Sequence, residues 1–334
     1  MDAFVTRAPK RARVRTGPIP EAVEIFAGAG GMAWGVEDAG FKHVACIEWS
    51  KRCCETLRRN NFKGVIHSDA SLIDYSRWTG VDLICGGPPC QPFSFGGAQL
   101  GPNDERDGWP IAIQAVRQAR PRAFLFENVK GFLQPAFADY RQYIVGSFEA
   151  LGYTVKTFLS DAADYGVPQR RRRVMVVGLR DSKWFPRPEQ VTKWVTCREA
   201  FADLGPPNGE NDHVGRDKCF PKPLPHHPAS YLDAPSNTLT AGQHGGGGAQ
   251  VLGLDDGTFR MFTPREQARL QSLPDTYKLP ARWSQVVKEM GNACPAKLAQ
   301  AYAEGILAAL SQSPDSPSMR QPPNTPRWQS RESL

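Results

Sequence analysis

The sequence predicts a doubly wound α/β fold with a mostly parallel sheet, and three observations support this prediction. Short apolar runs rich in β-branched and aromatic residues alternate with stretches of helical periodicity between residues 21 and 180. A glycine-rich turn joins the first strand to the first helix. Polar or reactive side chains follow several strands, as is typical of α/β folds, whose ligand sites lie at the carboxyl ends of the strands.

Each element follows from its local pattern. Strands are predicted at residues 22–27, 44–47, 81–85, 122–126, 154–159 and 174–179, with a further short strand before Asp69. Helices are predicted at residues 31–39, 51–59, 111–119, 136–151, 263–271 and 295–310. The last two each have a proline in the first turn, where its missing N–H is tolerated.

Composition divides the chain into five segments. Residues 21–180 form the main α/β domain, and residues 259–310 return to complete it. Residues 181–258 are rich in proline and glycine and lose helical periodicity, which favours a smaller, loop-rich domain. Residues 1–20 and 311–334 have almost nothing to bury, so we expect disordered tails.

The charge of the chain is distributed unevenly. The formal net charge of the chain is +7. The tail 1–20 is basic, with five basic side chains and one acidic one, whereas residues 181–258 are acidic, with seven basic side chains and ten acidic ones. A net positive charge indicates a nucleic-acid partner, and here the excess is divided between the N-terminal tail and the folded stretches 21–180 and 259–310. The sequence has no apolar run of membrane-spanning length and no secretory signal pattern, so we expect an intracellular protein.

The eight cysteines show no Cys-x-x-Cys pair. Neither a disulfide framework nor a metal site is therefore predicted, and most of these thiols are expected to be buried. Cys90 is the exception, because it lies in the loop Gly86-Gly-Pro-Pro-Cys90-Gln-Pro-Phe-Ser94 that follows the fourth strand. Prolines restrict backbone freedom on both sides of this thiol, which suits a nucleophile held in place.

The turn after the first strand reads Glu24-Ile-Phe-Ala-Gly28-Ala-Gly30-Gly31. Its glycines allow a tight turn and a close approach to a ligand, although a simple strand-to-helix turn is the alternative. Glu48 ends the second strand, where a carboxylate can accept hydrogen bonds from a ribose, and Trp49 can stack on adenine. The third glycine of the dinucleotide motif is missing at its spacing, so an adenosine-bearing cofactor other than NAD is favoured.

Two further motifs lie at the same predicted edge of the sheet. Phe126-Glu127-Asn128 ends the fifth strand, and Gln169-Arg170-Arg171-Arg172-Arg173 leads into a later strand. Strand alternation predicts that Arg171 and Arg173 share one face. An exposed strand-end carboxylate and a solvated charge run are the alternative interpretations.

Together these motifs resemble the ordered motif series of the cytosine-5 DNA methyltransferases. The resemblance rests on Phe26-Ala-Gly-Ala-Gly-Gly, Glu48-Trp49, Gly87-Pro-Pro-Cys-Gln-Pro-Phe-Ser, Glu127-Asn-Val, Gln169-x-Arg-x-Arg and Gly291-Asn292, and it spans residues 21–310. It is closest in size to the short bacterial enzymes of restriction-modification systems. It implies a Rossmann-like methyltransferase fold, S-adenosylmethionine as cofactor, and a target-recognition domain at residues 181–258.

The resemblance also implies roles for individual residues. Cys90 adds to carbon 6 of a flipped-out cytosine, Glu127 hydrogen-bonds the ring, and Arg171 and Arg173 offset the developing negative charge, with the loop 94–109 as a lid. The implied cofactor-binding residues are Glu24, Phe26, Gly28, Gly30, Gly31, Glu48, Trp49, Asp69, Ala70, Pro88, Trp109 and Asn292. The implied DNA-binding residues are Ser94, Arg106, Thr238, Thr240, Gln243 and His244.

The expected partner is double-stranded DNA, methylated at carbon 5 of cytosine by a monomeric enzyme in the bacterial cytoplasm, associated with the nucleoid. The family's setting implies a restriction endonuclease that acts on the same site without forming a stable complex. Sequence-independent phosphate affinity is expected from Arg106, the tract Arg170–Arg173 and the basic tail. Two alternatives stay open: a tRNA cytosine-5 methyltransferase, and a catalytically silent DNA-binding protein of the same fold.

Overall fold

A seven-stranded sheet with helices on both faces forms the centre of the computed structural model, which describes residues 18–89, 107–181, 185–207, 212–214, 219–223, 229–242 and 251–311. The strand order is β3-β2-β1-β4-β5-β7-β6, in which β7 runs antiparallel to both of its neighbours and the other pairs are parallel. The predicted doubly wound, mostly parallel sheet is therefore confirmed.

The sheet strands are β1 Glu21–Ile25, β2 Lys42–Glu48, β3 Val65–His67, β4 Leu83–Gly86, β5 Ala123–Val129, β6 Tyr153–Asp161 and β7 Arg172–Arg180. The helices are α1 Gly31–Asp38, α2 Lys51–Arg59, α3 Trp109–Ala119, α4 Ala138–Glu149, α5 Cys197–Phe201, α6 Pro264–Leu270, α7 Trp283–Asn292 and α8 Ala296–Ser311. A smaller sheet contains β8 Ala229–Tyr231, β9 Val251–Gly253 and β10 Phe259–Met261 in the order β10-β9-β8.

The main sheet is apolar on both faces, as a sheet covered by helices must be. One face packs against α3 and α4 through residues such as Phe124, Phe126 and Phe148. The other face packs against α1 and α8, where Leu298 and Tyr302 join the same core. Residues of the last helix thus complete a core that begins with the first strand.

The structure contains elements that the sequence did not predict. Helix α5 and the strands of the smaller sheet are too short to give a clear periodic pattern. Helix α7 was not predicted, although its buried residues Val286, Val287 and Met290 recur at helical spacing. Most of the predicted tails and most of the lid segment 94–109 lie outside the described residues. Within the described part of the chain, no helix is long and apolar enough to cross a membrane.

Candidate active site

The candidate site lies where the order of the strands reverses direction. β1 is central, the chain first builds outward to β2 and β3, and then returns to β4 on the other side of β1. Open α/β sheets bind ligands in the crevice outside the carboxyl ends of the strands at such a point. The turn 26–31 follows β1 there, and Gly87, Pro88 and Pro89 follow β4.

Left-handed backbone conformations shape the turn after β1. Phe26, Gly28 and Gly30 have φ angles of 56°, 53° and 87°. A Cβ on Gly28 would have no neighbour within 4 Å, so this glycine faces open space. A Cβ on Gly30 would lie 2.8 Å from the Leu57 side chain, and one on Gly31 would lie 2.5 Å from the backbone oxygen of Cys294. Gly28 therefore faces the crevice, whereas packing explains the glycines at positions 30 and 31.

Glu48 holds this turn in place. Its two carboxylate oxygens accept hydrogen bonds from the backbone N–H groups of Gly28 and Ser50, each at 2.8 Å. Burial raises the pKa of Glu48, and these backbone donors oppose that shift. The neighbouring Trp49 is 78% exposed, so a large aromatic face stands free beside the turn.

Asp69 and Ala70 follow the end of β3. Oδ1 of Asp69 accepts hydrogen bonds from the backbone N–H and the hydroxyl of Ser71, which hold its pKa below the usual range. The Asp69 side chain is exposed, and Ala70 is buried with its carbonyl bound by the Tyr75 hydroxyl. Both positions lie at the same carboxyl edge of the sheet as Glu48, since β2 and β3 are parallel.

Glu127 and Arg173 form an ion pair at the adjacent part of this edge. Nε of Arg173 lies 2.7 Å from Oε1 of Glu127, and both side chains are only 12% exposed. A Cβ on Gly87 would lie 3.4 Å from Oε2 of Glu127, and the Asn128 amide donates to the Pro88 carbonyl at 3.3 Å. The carboxylate therefore lies beside the loop that leads to Cys90.

Several predicted site residues lie outside the described part of the chain. They are Cys90, Ser94, Arg106, Gln243 and His244. Pro88, Pro89, Phe26 and Gly108 meet at the boundary of this segment, because a Cβ on Gly108 would lie 2.4 Å from Pro89 and 3.1 Å from Phe26. Pro89 and Gly108, which flank residues 90–106, thus lie beside the turn that follows β1.

The side chains of the tract Arg170–Arg173 make different contacts. Arg171 is 1% exposed, and its guanidinium donates to the carbonyls of Leu239 and Gly291 at 2.9 and 2.8 Å. Arg170 and Arg172 lie 3.0 and 3.8 Å from the Asp161 carboxylate at the surface. The expectation that all four arginines bind phosphate was wrong for two of them, because Arg171 is buried and Arg173 is paired with Glu127.

The segment 236–241 docks along this tract. The backbone of Arg170 donates to the Ser236 carbonyl at 2.7 Å, and Ser236 donates back to Pro168 at 2.9 Å. Gln169, which is fully buried, accepts from the backbone of Leu239 at 2.9 Å and donates to the carbonyl of Leu270 at 2.8 Å. This amide therefore joins both the segment 236–241 and α6 to the segment before β7.

The two predicted DNA-binding threonines lie on this docked segment. The Thr238 hydroxyl donates to the carbonyl of Arg170 at 2.6 Å, and Thr240 is exposed. Gly291 makes the close approach possible, because a Cβ there would lie 2.4 Å from the backbone of Thr240 and of Ala241. Asn292, the last residue of α7, is exposed beside this contact.

Two predicted cofactor contacts need correction. The Glu24 side chain is 2% exposed and faces the core, where its Oε2 lies 3.2 Å from Nε2 of His43. Trp109 is fully buried and stacks on Phe132, with ring centroids 5.1 Å apart. Strand alternation turns Glu24 away from the crevice, and the start of α3 turns Trp109 into the core.

Sequence reasoning missed two residues that support the site. The Tyr277 hydroxyl donates to the carbonyl of Ala29 at 2.6 Å and so fixes the turn after β1. Glu289 on α7 is buried, accepts from Thr56 and Gln285, and has its pKa raised by burial to about 7. No local pattern marks either residue, because both act on parts of the chain more than 200 residues away.

The sheet order, the glycine turn after β1 and the acid at the end of β2 define a Rossmann-like, cofactor-dependent methyltransferase fold. Residues 21–206 and 229–308 match the family model described as C-5 cytosine-specific DNA methylase. The chain belongs to this family.

Individual relatives agree with this assignment. The Type II methyltransferase M.NgoMIV of Neisseria gonorrhoeae is 38% identical over 307 residues, which cover 86% of this chain and 97% of the relative. M.AplI of Arthrospira platensis, also a Type II methyltransferase, is 35% identical and covers 88% of both chains.

Two solved structures are similar in fold. The Entamoeba histolytica methyltransferase EhMeth has a TM-score of 0.70 at 14% identity, covering 89% of this chain and all of its own. A Spodoptera frugiperda DNMT2 variant has a TM-score of 0.64 at 19% identity, covering 86% and 99%.

Proposed function

We propose that this protein is a DNA cytosine-5 methyltransferase of a restriction-modification system. It would transfer a methyl group to carbon 5 of cytosine within a specific sequence of duplex DNA. The observation that carries the proposal is the mostly buried Glu127–Arg173 ion pair beside the loop that leads to Cys90, in a chain of this family. The relatives named as Type II methyltransferases support the restriction-modification setting.

The crevice fits S-adenosylmethionine. Gly28 leaves open space at the turn, the Glu48 carboxylate fixes that turn and can accept a further hydrogen bond from a ribose, and Trp49 offers an exposed aromatic face for adenine. When bound, the cofactor supplies an electrophilic methyl group on a sulfonium. Asp69, at the same edge, has a second carboxylate oxygen for the adenosine portion.

The chain's own residues activate the target base. Carbon 5 of cytosine is a poor nucleophile until the ring is activated. The Cys90 thiolate adds to carbon 6, while Glu127 hydrogen-bonds ring nitrogen 3 and the exocyclic amine, so that electron density shifts to carbon 5. After carbon 5 takes the methyl group, loss of its proton and expulsion of the thiolate restore the aromatic ring.

Arg173 positions Glu127 for this task. Its Nε contact holds one carboxylate oxygen, which leaves the other directed towards the loop after β4. Arg171 serves a different purpose, because it joins the segment 236–241 to α7 through two backbone carbonyls. We assign Arg171 to the placement of the recognition segment relative to the catalytic edge.

The target cytosine must leave the duplex to reach these groups. Glu127 is 9% exposed and lies at the edge of the sheet, where a stacked base cannot approach it. Flipping the base costs a few kcal/mol of unstacking. The loop 94–109 would close over the flipped base, and residues 181–258 would read the sequence, with Thr240 on the docked segment facing outward.

Methyl incorporation tests the proposal directly. Labelled S-adenosylmethionine is offered with unmethylated duplex DNA and, separately, with tRNA. Incorporation into DNA supports the proposal, activity confined to RNA overturns it, and no activity on either favours a silent binding protein. Bisulfite sequencing of DNA from an expressing host then reports the modified cytosine and its sequence context.

A further inference from the structure

Three side chains with metal-ligating atoms meet inside the core, on the face of the sheet opposite the α3 and α4 layer. They are Glu24 on β1, His43 on β2 and Cys85 on β4, and their ligating atoms all lie within 4.8 Å of one another. Each residue is no more than 1% exposed. The proposed methyl transfer uses none of them.

The register of the sheet explains this convergence. Glu24 pairs with Cys85 on one side and with Cys46 on the other, so these three residues form a row on one face. A bulge between β1 and β2 inserts Val44 between the partners of Ala22 and Val23. Because of the extra residue, His43 and Cys46 share a face despite being three positions apart.

The distances fit tetrahedral coordination. Oε2 of Glu24 lies 3.2 Å from Nε2 of His43 and 3.8 Å from Sγ of Cys85, and Sγ lies 3.9 Å from Nε2. Zinc bonds of about 2.3 Å to sulfur and about 2.0 Å to nitrogen and oxygen place ligand atoms about 3.3 to 3.6 Å apart in a tetrahedron. The three atoms therefore need to move by only a few tenths of an ångström to bind one ion.

The second nitrogen of the imidazole supports the same interpretation. Nδ1 of His43 lies 3.4 Å from Oε1 of Glu37, a partly exposed carboxylate on α1. Histidine ligands usually donate their other N–H to a carboxylate or carbonyl, which fixes the ring orientation. Glu37 is placed for that role, and Nε2 is left facing Glu24 and Cys85.

We propose that Glu24, His43 and Cys85 bind a structural zinc ion. A thiolate, a carboxylate and a neutral imidazole neutralise the two positive charges of the ion, so that the buried complex carries no net charge. The ion would tie β2 and β4 to β1, directly before the turn that begins at Phe26.

Metal content of the full-length protein tests this proposal. Protein purified under reducing conditions is expected to contain about one zinc per chain, measured by inductively coupled plasma mass spectrometry. After replacement by Co²⁺, we expect a thiolate-to-cobalt charge-transfer band and the intense visible bands of tetrahedral cobalt. Cys85→Ser should lose the charge-transfer band, or lose cobalt altogether.

Cys219→Ser is the matched control, because Cys219 is an exposed thiol outside the cluster, where adventitious metal would bind. This variant should keep both the zinc and the spectrum. The wild-type protein alone can overturn the proposal: if it holds no zinc and gives no thiolate–cobalt band with one equivalent of Co²⁺, the cluster is only a buried ion pair with a neighbouring thiol. A spectrum lost in Cys219→Ser and kept in Cys85→Ser would also contradict it. None of these readouts depends on methyltransferase activity.

Discussion

Replacing Arg173 with alanine tests the role of the ion pair in the site. The substitution leaves the Glu127 carboxylate without a partner 2.7 Å away, in a place where both side chains are 12% exposed. Removing one partner of a fully buried ion pair destabilises a protein by about 3–5 kcal/mol, because the remaining charge is left uncompensated. The residual exposure of this pair lowers the expected loss of free energy to about 2–4 kcal/mol. If this free energy is lost from the stabilisation of the transition state, the activation free energy rises by the same amount and methyl transfer slows by roughly 30- to 1,000-fold.

The assay is the single-turnover rate of methyl transfer to unmethylated duplex DNA, which excludes product release. Arg172→Ala is the matched control, because Arg172 is 52% exposed and lies 3.8 Å from Asp161. The rate of the Arg172→Ala variant should fall by less than about fivefold, because exposed ion pairs contribute about 1 kcal/mol or less. The rate of the Arg173→Lys variant should lie between those of Arg173→Ala and Arg172→Ala, because an ammonium keeps the charge but not the geometry of the guanidinium.

Two outcomes would refute this reasoning. One is an Arg173→Ala enzyme that transfers methyl groups at a rate close to wild type. The other is an equal loss in Arg172→Ala, which would mean that general positive charge matters and the pair with Glu127 does not. Thermal unfolding of each variant separates a damaged site from a damaged fold.

Three further predictions concern packing, pH and cofactor binding. Gly291→Ala should destabilise the protein by about 1–3 kcal/mol in thermal unfolding and reduce DNA methylation, because the added methyl group would overlap the backbone of Thr240. Gly146→Ala is the control, because a Cβ at this position in α4 has open space, and it should be neutral or stabilising. Because burial raises the pKa of Glu289 from 4.5 to about 7, the contribution of this residue to stability is fully present below pH 4.5 and is lost as the pH rises through 7. Glu289→Gln should therefore be more stable than wild type at pH 8 by about 1–3 kcal/mol in denaturant unfolding, and it should lose this part of the pH dependence. Trp49→Ala should weaken S-adenosylmethionine binding about 5- to 30-fold, measured by calorimetry, without affecting stability. Tyr143→Ala, which removes an aromatic side chain exposed on α4, should leave the affinity for S-adenosylmethionine unchanged.

Each of these predictions can fail in a defined way. Equal stability of the two glycine variants would show that the docked segment 236–241 moves freely. A Glu289→Gln protein with the pH dependence of wild type would assign that dependence to other groups. Unchanged cofactor affinity in Trp49→Ala would place the adenine elsewhere along the sheet edge.

The sequence was informative wherever function is encoded in a continuous motif. The turn 26–31, the strand-end acids and the loop before Cys90 could be predicted because neighbouring residues carry the signal, and parallel strands bring their carboxyl ends to one edge. The arginine tract could be placed at this edge on the same basis, but both Arg171 and Arg173 stayed candidates, and the structure brings Arg173 to Glu127.

The remaining features depend on contacts between distant segments. Arg171 resembles its neighbours in the tract, yet its carbonyl partners are supplied by Leu239 and Gly291, which no local pattern reveals. The orientation of Glu24 depends on the alternation and register of β1, and the position of His43 beside it depends on a bulge in β2. Sequence spacing also gave no metal signal, because Glu24, His43 and Cys85 come from three different strands.

The most direct test of the central claim is covalent trapping on duplex DNA that carries 5-fluorocytosine. Fluorine at carbon 5 cannot be lost as the proton is, so the covalent complex accumulates after methyl transfer. We predict a complex that depends on S-adenosylmethionine and maps to Cys90 by mass spectrometry of the cross-linked peptide, and that is absent in Cys90→Ser. Methylation of ordinary DNA without any trapped complex, or a complex at another residue, would contradict the account.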